Sequence, residues 1–282
     1  MWSVPDELWD EIKPLLKIKI PKKKPGRPRA DDRRILNGLI YLARTGCQWC
    51  ALPREFGPKS TVYERFREWL SQGCLEKVWV FLLEKYDGTI GIAWEWCAAD
   101  GCIIKAPLGK RGIEGESEAT GSNPTDRGKS GSKRHLLTDQ KGIPLSVVVS
   151  GANRHDMKKL DDLLEATKLY PPLDVRQHLC LEQPPAALRS RGYDYAECRI
   201  LLEDFGYIAH IPDTSKPVPA PGDPLRHQPK RWIVEVSHSW FNRFRRLLIR
   251  WEKLSLCYLG FVQLAACLII SRKLISNSPL LS

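Results

Sequence analysis

The pattern of apolar and polar positions changes near residue 90 and divides the chain into a helical part and a strand-containing part. Before that point, apolar residues recur every three or four positions, which is typical of amphipathic helices. The pattern predicts helices over residues 1–16, 33–45 and 74–86, and a further helix that begins at Ser60. After residue 90, runs rich in β-branched residues alternate with helical stretches, so the sequence predicts an α/β domain there.

The most informative strand pattern covers residues 94–105, where aromatic, small and β-branched residues surround one carboxylate, Asp100. Two further runs, 135–139 and 143–150, are joined by Gln140-Lys141-Gly142, which predicts a hairpin. A carboxylate inside an apolar strand costs free energy unless it is paired, hydrogen-bonded or bound to a metal. Asp100 is therefore the first candidate site residue. The remaining pattern predicts helices over 156–170, 196–205 and 230–253, strands over 177–182 and 207–211, and a buried C-terminal helix.

The helical part has features of DNA-binding domains. Helix 33–45, the turn residues 52–59 and the helix from Ser60 follow helix-turn-helix order, and Thr61 and Glu64 have capping-box spacing. A basic tether over residues 17–34 holds nine Lys and Arg. Its core, Pro25-Gly26-Arg27-Pro28-Arg29, resembles an AT-hook, whose arginines suit the minor groove of A·T-rich DNA. A solvated basic linker is the alternative interpretation.

Charge and composition narrow the choice of partner. The net charge of +11 and the pI near 9.2 indicate a polyanion, and nucleic acid fits better than a membrane surface. The apolar run 254–270 is interrupted by Ser255, Tyr258, Gly260 and Gln263, which favours a buried helix over a bilayer span. The odd number of cysteines, nine, favours a reducing cytoplasm, and Cys47 and Cys50 lack a second pair at zinc spacing.

Three carboxylates stand at telling positions in the predicted α/β part. Asp100 lies within a strand, Glu182 ends another strand, and Glu235 lies on a basic helix. A strand hairpin, a helix, a parallel strand and further helices form the order of an RNase H-like mixed sheet with flanking helices. In that fold, acidic side chains converge on two Mg²⁺ ions, which prefer hard oxygen ligands. A structural alternative for Glu235 is pairing with Arg231, four residues earlier.

Longer strings identify a family resemblance. Residues 123–135 (NPTDRGKSGSKRH), residues 151–156 (GANRHD), and residues 243–253 (RFRRLLIRWEK) closely resemble the DDE transposases of bacterial insertion sequences. Residues 26–34, 45–49 and 52–53 extend the resemblance into the helical part. It covers nearly the whole chain and implies two domains: a small all-α, helix-turn-helix-like DNA-binding domain over 1–88, and an RNase H-like catalytic domain over 89–282.

The resemblance implies a function and a site. It implies a transposase that binds terminal inverted repeats and target DNA, cleaves and joins strands, works as a homodimer on DNA, and is cytoplasmic and nucleoid-associated. Carried over residue by residue, the catalytic and metal-binding positions are Asp100, Glu182 and Glu235, which would hold two Mg²⁺ or Mn²⁺ ions. Candidate DNA contacts are basic side chains of the tether, of the helix that begins at Ser60, of the loop before strand 135–139 and of the helix over 230–253: Arg27, Arg29, Arg65, Arg67, Arg127, Lys129, Arg243 and Arg246.

The chain departs from the family pattern at the second aspartate. The family typically has an aspartate directly after Leu-Cys-Leu, and a single residue then separates this aspartate from Gly-Tyr-Asp. Here Glu182 follows Leu-Cys-Leu, whereas counting back across one intervening residue from Gly192-Tyr193-Asp194 leads to Ser190, which cannot serve as a carboxylate, so residues 183–190 form an insertion. Asp194 could substitute only if this loop refolds. Three interpretations stay open: an active transposase, a decayed relative that binds DNA without cutting it, and a nuclease of the same fold that hydrolyses without joining strands.

Overall fold

The computed structural model describes residues 3–18, 28–109, 118–169, 175, 177–181, 195–211 and 232–276, and it groups the chain into two compact units. The first unit comprises Met1–Ile90, Ala106–Gly109 and Phe241–Ser282, and the second comprises Gly91–Lys105 and Lys110–Trp240. The predicted division at residue 88 falls close to the first boundary. However, the segment from Phe241 belongs to the first unit, whereas the predicted catalytic domain runs to residue 282. Where DNA binding and catalysis divide stays a prediction.

The described residues form eight α-helices and six β-strands. The helices are α1 (Asp6–Leu16), α2 (Asp32–Thr45), α3 (Lys59–Ser71), α4 (Cys74–Thr89), α5 (Leu160–Glu165), α6 (Ala196–Asp204), α7 (Trp232–Asn242) and α8 (Ser255–Ser276). The strands are β1 (Trp96–Lys105), β2 (Gly121–Ser122), β3 (Ser130–Asp139), β4 (Pro144–Gly151), β5 (Gln177–Leu181) and β6 (Tyr207–His210).

The first unit is helical, as predicted, and α2 shows why its sequence folds locally. The Asp31 side chain accepts a hydrogen bond from the Arg33 backbone N–H at 2.9 Å, which satisfies an orphan donor of the first turn. Gly46 ends the helix in the left-handed conformation, with φ of +68°. The apolar stripe of α2 is buried in the core: Ile35, Leu36, Leu39, Ile40 and Leu42.

Two details of the helical prediction are wrong. Helix α3 begins at Lys59 after Pro58, without a side-chain cap, so Thr61 and Glu64 lie inside the helix and form no capping box. The connection between α2 and α3 contains two 3₁₀ turns, Trp49–Ala51 and Arg54–Phe56. It is longer than the three or four residues of a tight helix-turn-helix, so the likeness to that motif is one of helix order.

Helix α8 is the buried C-terminal helix that the interrupted apolar run predicts. It is long and apolar enough to cross a membrane by length and composition, but 72% of its most apolar window is buried inside the protein. Its Phe261 ring lies 4.8 Å from the ring of Phe66 on α3, centroid to centroid. A membrane span is thus weakly indicated, because a core helix has the same composition.

The sheet of the second unit confirms the RNase H-like fold. Strand β3 pairs antiparallel with β1 on one side and with β4 on the other, and the short β2 pairs antiparallel with the first residues of β3. Strand β5 pairs parallel with β1, and β6 pairs parallel with β5. The hairpin of β3 and β4 and the parallel strand β5 are as the sequence predicts, and the structure adds the strand order, with β1 in the centre.

Helices cover both faces of this sheet. On one face, the Ser146 hydroxyl of β4 donates to the Leu163 carbonyl of α5 at 2.7 Å. Helix α7 contacts the hairpin turn between β3 and β4, where the Ser237 hydroxyl donates to the Gly142 carbonyl at 2.8 Å. The hairpin turn itself is closed by Asp139, whose carboxylate accepts from the backbone N–H groups of Lys141 and Ile143.

Two predicted helices are shorter in the structure. The helical segment that begins at Asp156 ends at Glu165 rather than at residue 170. The predicted helix over 230–253 is wrong beyond Asn242, because Phe244 adopts extended backbone and is buried with Leu247. The arginines after Asn242 therefore do not line one continuous helix face.

Candidate active site

Asp100 lies in the middle of the central strand of the sheet. It is paired with Leu136 of β3, and its side chain is 24% exposed. On the other side of β1, the parallel register pairs Ala99 with Leu181, the last residue of β5. Glu182 follows Leu181 directly in sequence, but it lies outside the described residues, as does Asp194. Their roles as ligands stay predictions.

Helix α7 carries the second described carboxylate of the predicted triad. Glu235 is exposed in the first turn of α7, and His238 follows one turn later. Residues three apart on a helix lie on the same side. His238 Nε2 is 3.8 Å from Asp100 Oδ2, so this side of α7 faces the strand position that carries Asp100.

His238 is a site residue that the sequence analysis missed. Its side chain is 7% exposed, and Nδ1 lies 3.2 Å from the Arg134 guanidinium of β3. Burial and, to a smaller extent, the positive charge of Arg134 lower the pKa of His238, and the nearby Asp100 backbone raises it; the net pKa is about 3. The only sequence signal was its spacing of three residues from Glu235, and that spacing alone does not distinguish a site residue from a core residue.

A second polar cluster supports β1 from its other face. Lys133 Nζ lies 3.0 Å from Asp156 Oδ1, and His135 Nδ1 lies 3.4 Å from the same oxygen. Lys133 also donates to the Arg154 carbonyl at 2.9 Å. A Cβ added at Gly101 would lie 2.5 Å from Asp156 Oδ1, so glycine is what allows this cluster to pack directly against the residue after Asp100.

This cluster gives a structural reason for parts of two segments that resemble the transposase family, residues 123–135 and 151–156. Residues 133–135 and 154–156 are brought together across β3 and the loop after β4. The His135 ring also contacts the Ser150 hydroxyl at 2.8 Å. Burial lowers the pKa of His135 to about 4, with Asp156 opposing that shift and Lys133 adding to it.

The donor set suits a hard divalent cation, although its third member is not described. Asp100 and Glu235 offer carboxylate oxygens, which Mg²⁺ and Mn²⁺ prefer. Within the described ranges, no group of three His, Cys, Asp or Glu is close enough to hold a metal. Completion of the site depends on a ligand such as Glu182.

Four of the candidate DNA-contact residues are exposed: Arg67, Arg127, Lys129 and Arg243. Arg127 has φ of +51° and begins the turn to Gly128, in a loop held by Asn123, whose side chain accepts from the Thr125 backbone. Arg29 is 30% exposed and lies 3.1 Å from Glu68. Arg27 lies outside the described residues.

The structure corrects the placement of two other arginines that were expected to face DNA. The Arg65 side chain is 7% exposed and pairs with Asp32 and with Glu68, the latter at 3.0 Å. It lies three residues after Val62 and four before Trp69, which puts it on the packed side of α3. Arg246 is buried as well, and its Nε donates to Glu252 Oε1 at 2.6 Å. Both side chains are thus buried against acidic partners within the first unit.

Comparison with known families places this chain in one class, the transposases. Residues 97–270 match the family described as "Transposase DDE domain", and residues 4–79 match "Putative transposase of IS4/5 family". The first match alone covers more than half of the chain. The chain belongs to the DDE transposases of insertion sequences, and this membership assigns it to DNA transposition.

Individual relatives agree with the family. One from Burkholderia cepacia, "Putative transposase for insertion sequence element IS402", is 38% identical over 150 residues, which is 53% of this chain and 67% of that protein. A second from the same organism, "Insertion element IS402 uncharacterized 16.2 kDa protein", is 35% identical over 107 residues, 36% of this chain and 73% of that protein.

The solved structures offer only a distant likeness. The catalytic domain of Mos1 mariner transposase has a TM-score of 0.30 and 12% identity, over 71% of this chain and 91% of that chain. This likeness is too low to support an inference about the site, so the fold assignment rests on the strand order and register.

Proposed function

We propose that this transposase binds the terminal inverted repeats of its insertion sequence, cleaves the DNA there and joins the ends to target DNA. Asp100, Glu182 and Glu235 would hold two Mg²⁺ or Mn²⁺ ions. The observation that carries the proposal is the position of Asp100. Its carboxylate is partly exposed on the central strand, and the Glu235-bearing helix contacts it through His238.

The protein's contribution to such chemistry is a rigid placement of the acidic side chains. Asp100 is held by pairing with Leu136 on one side of β1 and, through the preceding Ala99, by pairing with Leu181 on the other. Glu235 is held because Ser237, two residues later, anchors α7 to the hairpin turn. When bound, two metal ions would activate the attacking water or 3′-hydroxyl and stabilise the leaving oxygen of the phosphodiester.

The exposed cations Arg67, Arg127, Lys129 and Arg243 would neutralise DNA phosphates. Such contacts release counterions, so binding should weaken steeply as the salt concentration rises. A homodimer would hold two transposon ends together, and the enzyme would act in the cytoplasm on the nucleoid.

A second candidate function is DNA binding without cleavage. It is favoured by Glu182, which stands where the family has aspartate, and by the interposed residues 183–190 with Pro184-Pro185. Glutamate is longer by one methylene, and functional constellations require placement within about 0.5 Å. A ligand displaced by that much would leave binding intact and abolish turnover.

The test is cleavage of a labelled duplex that carries the element's own end, with Mg²⁺ or Mn²⁺, by the wild type, Asp100→Ala and Asp161→Ala. Asp161 is an exposed carboxylate on α5 and serves as the matched control. We expect nicking by the wild type and the control but not by Asp100→Ala, with binding retained by all three. Equal nicking by Asp100→Ala would refute the site. Binding without nicking by the wild type would support the second candidate, and free ends without joined strands would indicate a nuclease.

A further inference from the structure

The His238 ring is held between two groups of opposite charge. On one side, Nδ1 lies 3.2 Å from Arg134 NH2, and Arg134 is itself fully buried. On the other side, Nε2 lies 3.8 Å from Asp100 Oδ2. Arg134 comes from β3, Asp100 from β1 and His238 from α7, so the ring links three elements of the second unit.

The contact with Arg134 determines which ring nitrogen carries the proton. A guanidinium offers only donors, so Nδ1 must be the unprotonated acceptor. The proton of the neutral imidazole is then on Nε2, the nitrogen nearer to the Asp100 carboxylate. Nε2 is buried and forms no hydrogen bond of ordinary length and angle within the described part of the chain, although the Asp100 backbone lies close enough to raise the pKa of the ring.

We propose that His238 is a positioning residue, whose Nε2–H orients the Asp100 carboxylate for metal binding while Arg134 holds the imidazole in the required tautomer. The inference rests on the proposed function for its metal. The present separation of 3.8 Å is longer than a hydrogen bond. Contacts of this kind are often long in the free enzyme and shorten when the site is loaded.

A purely structural role for the ring does not account for these contacts. An apolar side chain could fill the space under α7 without a buried nitrogen to satisfy. Ser237, the preceding residue, already anchors α7 through Gly142. The N–H aimed at Asp100 is therefore the feature of His238 that packing leaves unexplained.

The first test measures Mn²⁺ binding to the full-length protein from the electron paramagnetic resonance signal of free Mn²⁺. We expect His238→Leu to weaken binding about 10–100-fold, as loss of a residue that orients a ligand does. His238→Gln, which retains an N–H donor, should recover most of this loss, and Ser239→Ala, at an exposed position of the same helix, should bind like the wild type. Unchanged affinity in His238→Leu would overturn the proposal. Equal losses in all three variants would show that α7 packing, and not the N–H, matters.

Two outcomes separate this inference from the proposed function. Asp100→Ala should lose Mn²⁺ binding whatever His238 does, and wild-type affinity in that variant would contradict the metal site itself. If the wild type binds no Mn²⁺, the proposed function fails, and the imidazole measurement below decides on the His238 contact alone.

The second test needs no metal. Long-range ¹H–¹⁵N correlation spectra of ¹⁵N-histidine-labelled protein should show His238 as the Nε2–H tautomer, with the signal assigned by its absence in His238→Gln. Asp100→Ala should shift the Nε2 resonance, because the neighbouring carboxylate is removed while the backbone is kept. An Nδ1–H tautomer, or an Nε2 resonance indifferent to Asp100→Ala, would overturn the proposal.

Discussion

Replacing Arg246 separates a structural role from a DNA-binding role. Arg246 Nε donates to Glu252 Oε1 at 2.6 Å, and Arg246 NH1 donates to the Cys47 carbonyl at 2.6 Å. The side chains of Arg246 and Glu252 are only 4% and 3% exposed. Arg246→Met keeps much of the side-chain volume but leaves the Glu252 carboxylate buried without this partner. We therefore expect a loss of stability in the first unit.

The size of the loss follows from these contacts. Removing one member of a buried ion pair costs about 3–5 kcal/mol. The guanidinium also lies 5.6 Å and 5.4 Å from the ring centroids of Trp49 and Phe261, and such contacts contribute on the order of 1–2 kcal/mol when desolvated. Because these contributions overlap, the free energy of unfolding should fall by about 3–5 kcal/mol. The double variant Arg246→Met, Glu252→Leu should recover much of it, since apolar groups can replace a buried pair at little cost.

The assay is equilibrium unfolding in urea, followed by tryptophan fluorescence, together with DNA affinity measured across salt concentrations. Arg243→Met is the matched control, because Arg243 is exposed three residues earlier. This control should change stability by less than about 0.5 kcal/mol but should weaken DNA binding and reduce the salt slope by about one. A wild-type unfolding midpoint in Arg246→Met, combined with weakened DNA binding, would refute the structural assignment.

Three further changes test other parts of the fold. Gly101→Ala should destabilise the protein by about 1–3 kcal/mol through overpacking against Asp156, whereas Gly88→Ala, where the added Cβ meets open space on α4, should stabilise it by about 0.5–1 kcal/mol. Thermal unfolding compares the two variants, and equal changes in their unfolding midpoints would contradict the packing at Gly101. Burial lowers the pKa of His135 from its ordinary value of 6.5 to about 4, so the stability that its neutral ring contributes is complete above pH 6.5 and is lost as the pH falls toward 4. His135→Gln, at a position surrounded by Lys133, Asp156, Lys159 and Asp162, should make the free energy of unfolding less dependent on pH in this range, and an unchanged pH dependence would contradict the reasoning. A fragment of residues 91–282 retains the apolar α8 without α3 and α4 of the same unit, so it should aggregate on size-exclusion chromatography. Co-expression of residues 1–90 should restore solubility, and a monomeric, cooperatively folded fragment would contradict this.

Elements defined by local periodicity were predicted well from the sequence. The buried stripe of α2, the hairpin between β3 and β4 and the apolar interior of α8 all follow from spacing and turn residues within short windows. The RNase H-like topology was also predicted, because the order of strand and helix patterns restricts the possible sheets. The end of α7 was missed, since it depends on the burial of Phe244 and Leu247 and not on a local stop signal.

Charged residues showed where local reasoning fails. Periodicity treats an arginine as a surface residue, yet Arg65 and Arg246 are buried with acidic partners. The partner of Arg65, Asp32, is 33 positions away in the chain, and the carbonyl that Arg246 reaches, that of Cys47, is 199 positions away. Such pairing is decided by the tertiary fold, so net charge indicated a polyanionic partner but could not identify which cations reach it.

The same limit applies to the candidate site, where it explains why Asp100 was found and His238 was not. A carboxylate in an apolar strand is anomalous within its own segment, so the cost of burying it singles it out before any partner is known. A histidine among serines and aromatics on a helix is not anomalous, and its meaning arises only when β3 brings Arg134 to one ring nitrogen and β1 brings Asp100 toward the other. The residues that can be predicted from sequence are thus those whose local environment is costly, whereas those that orient them are recognised only once the register of the sheet is known.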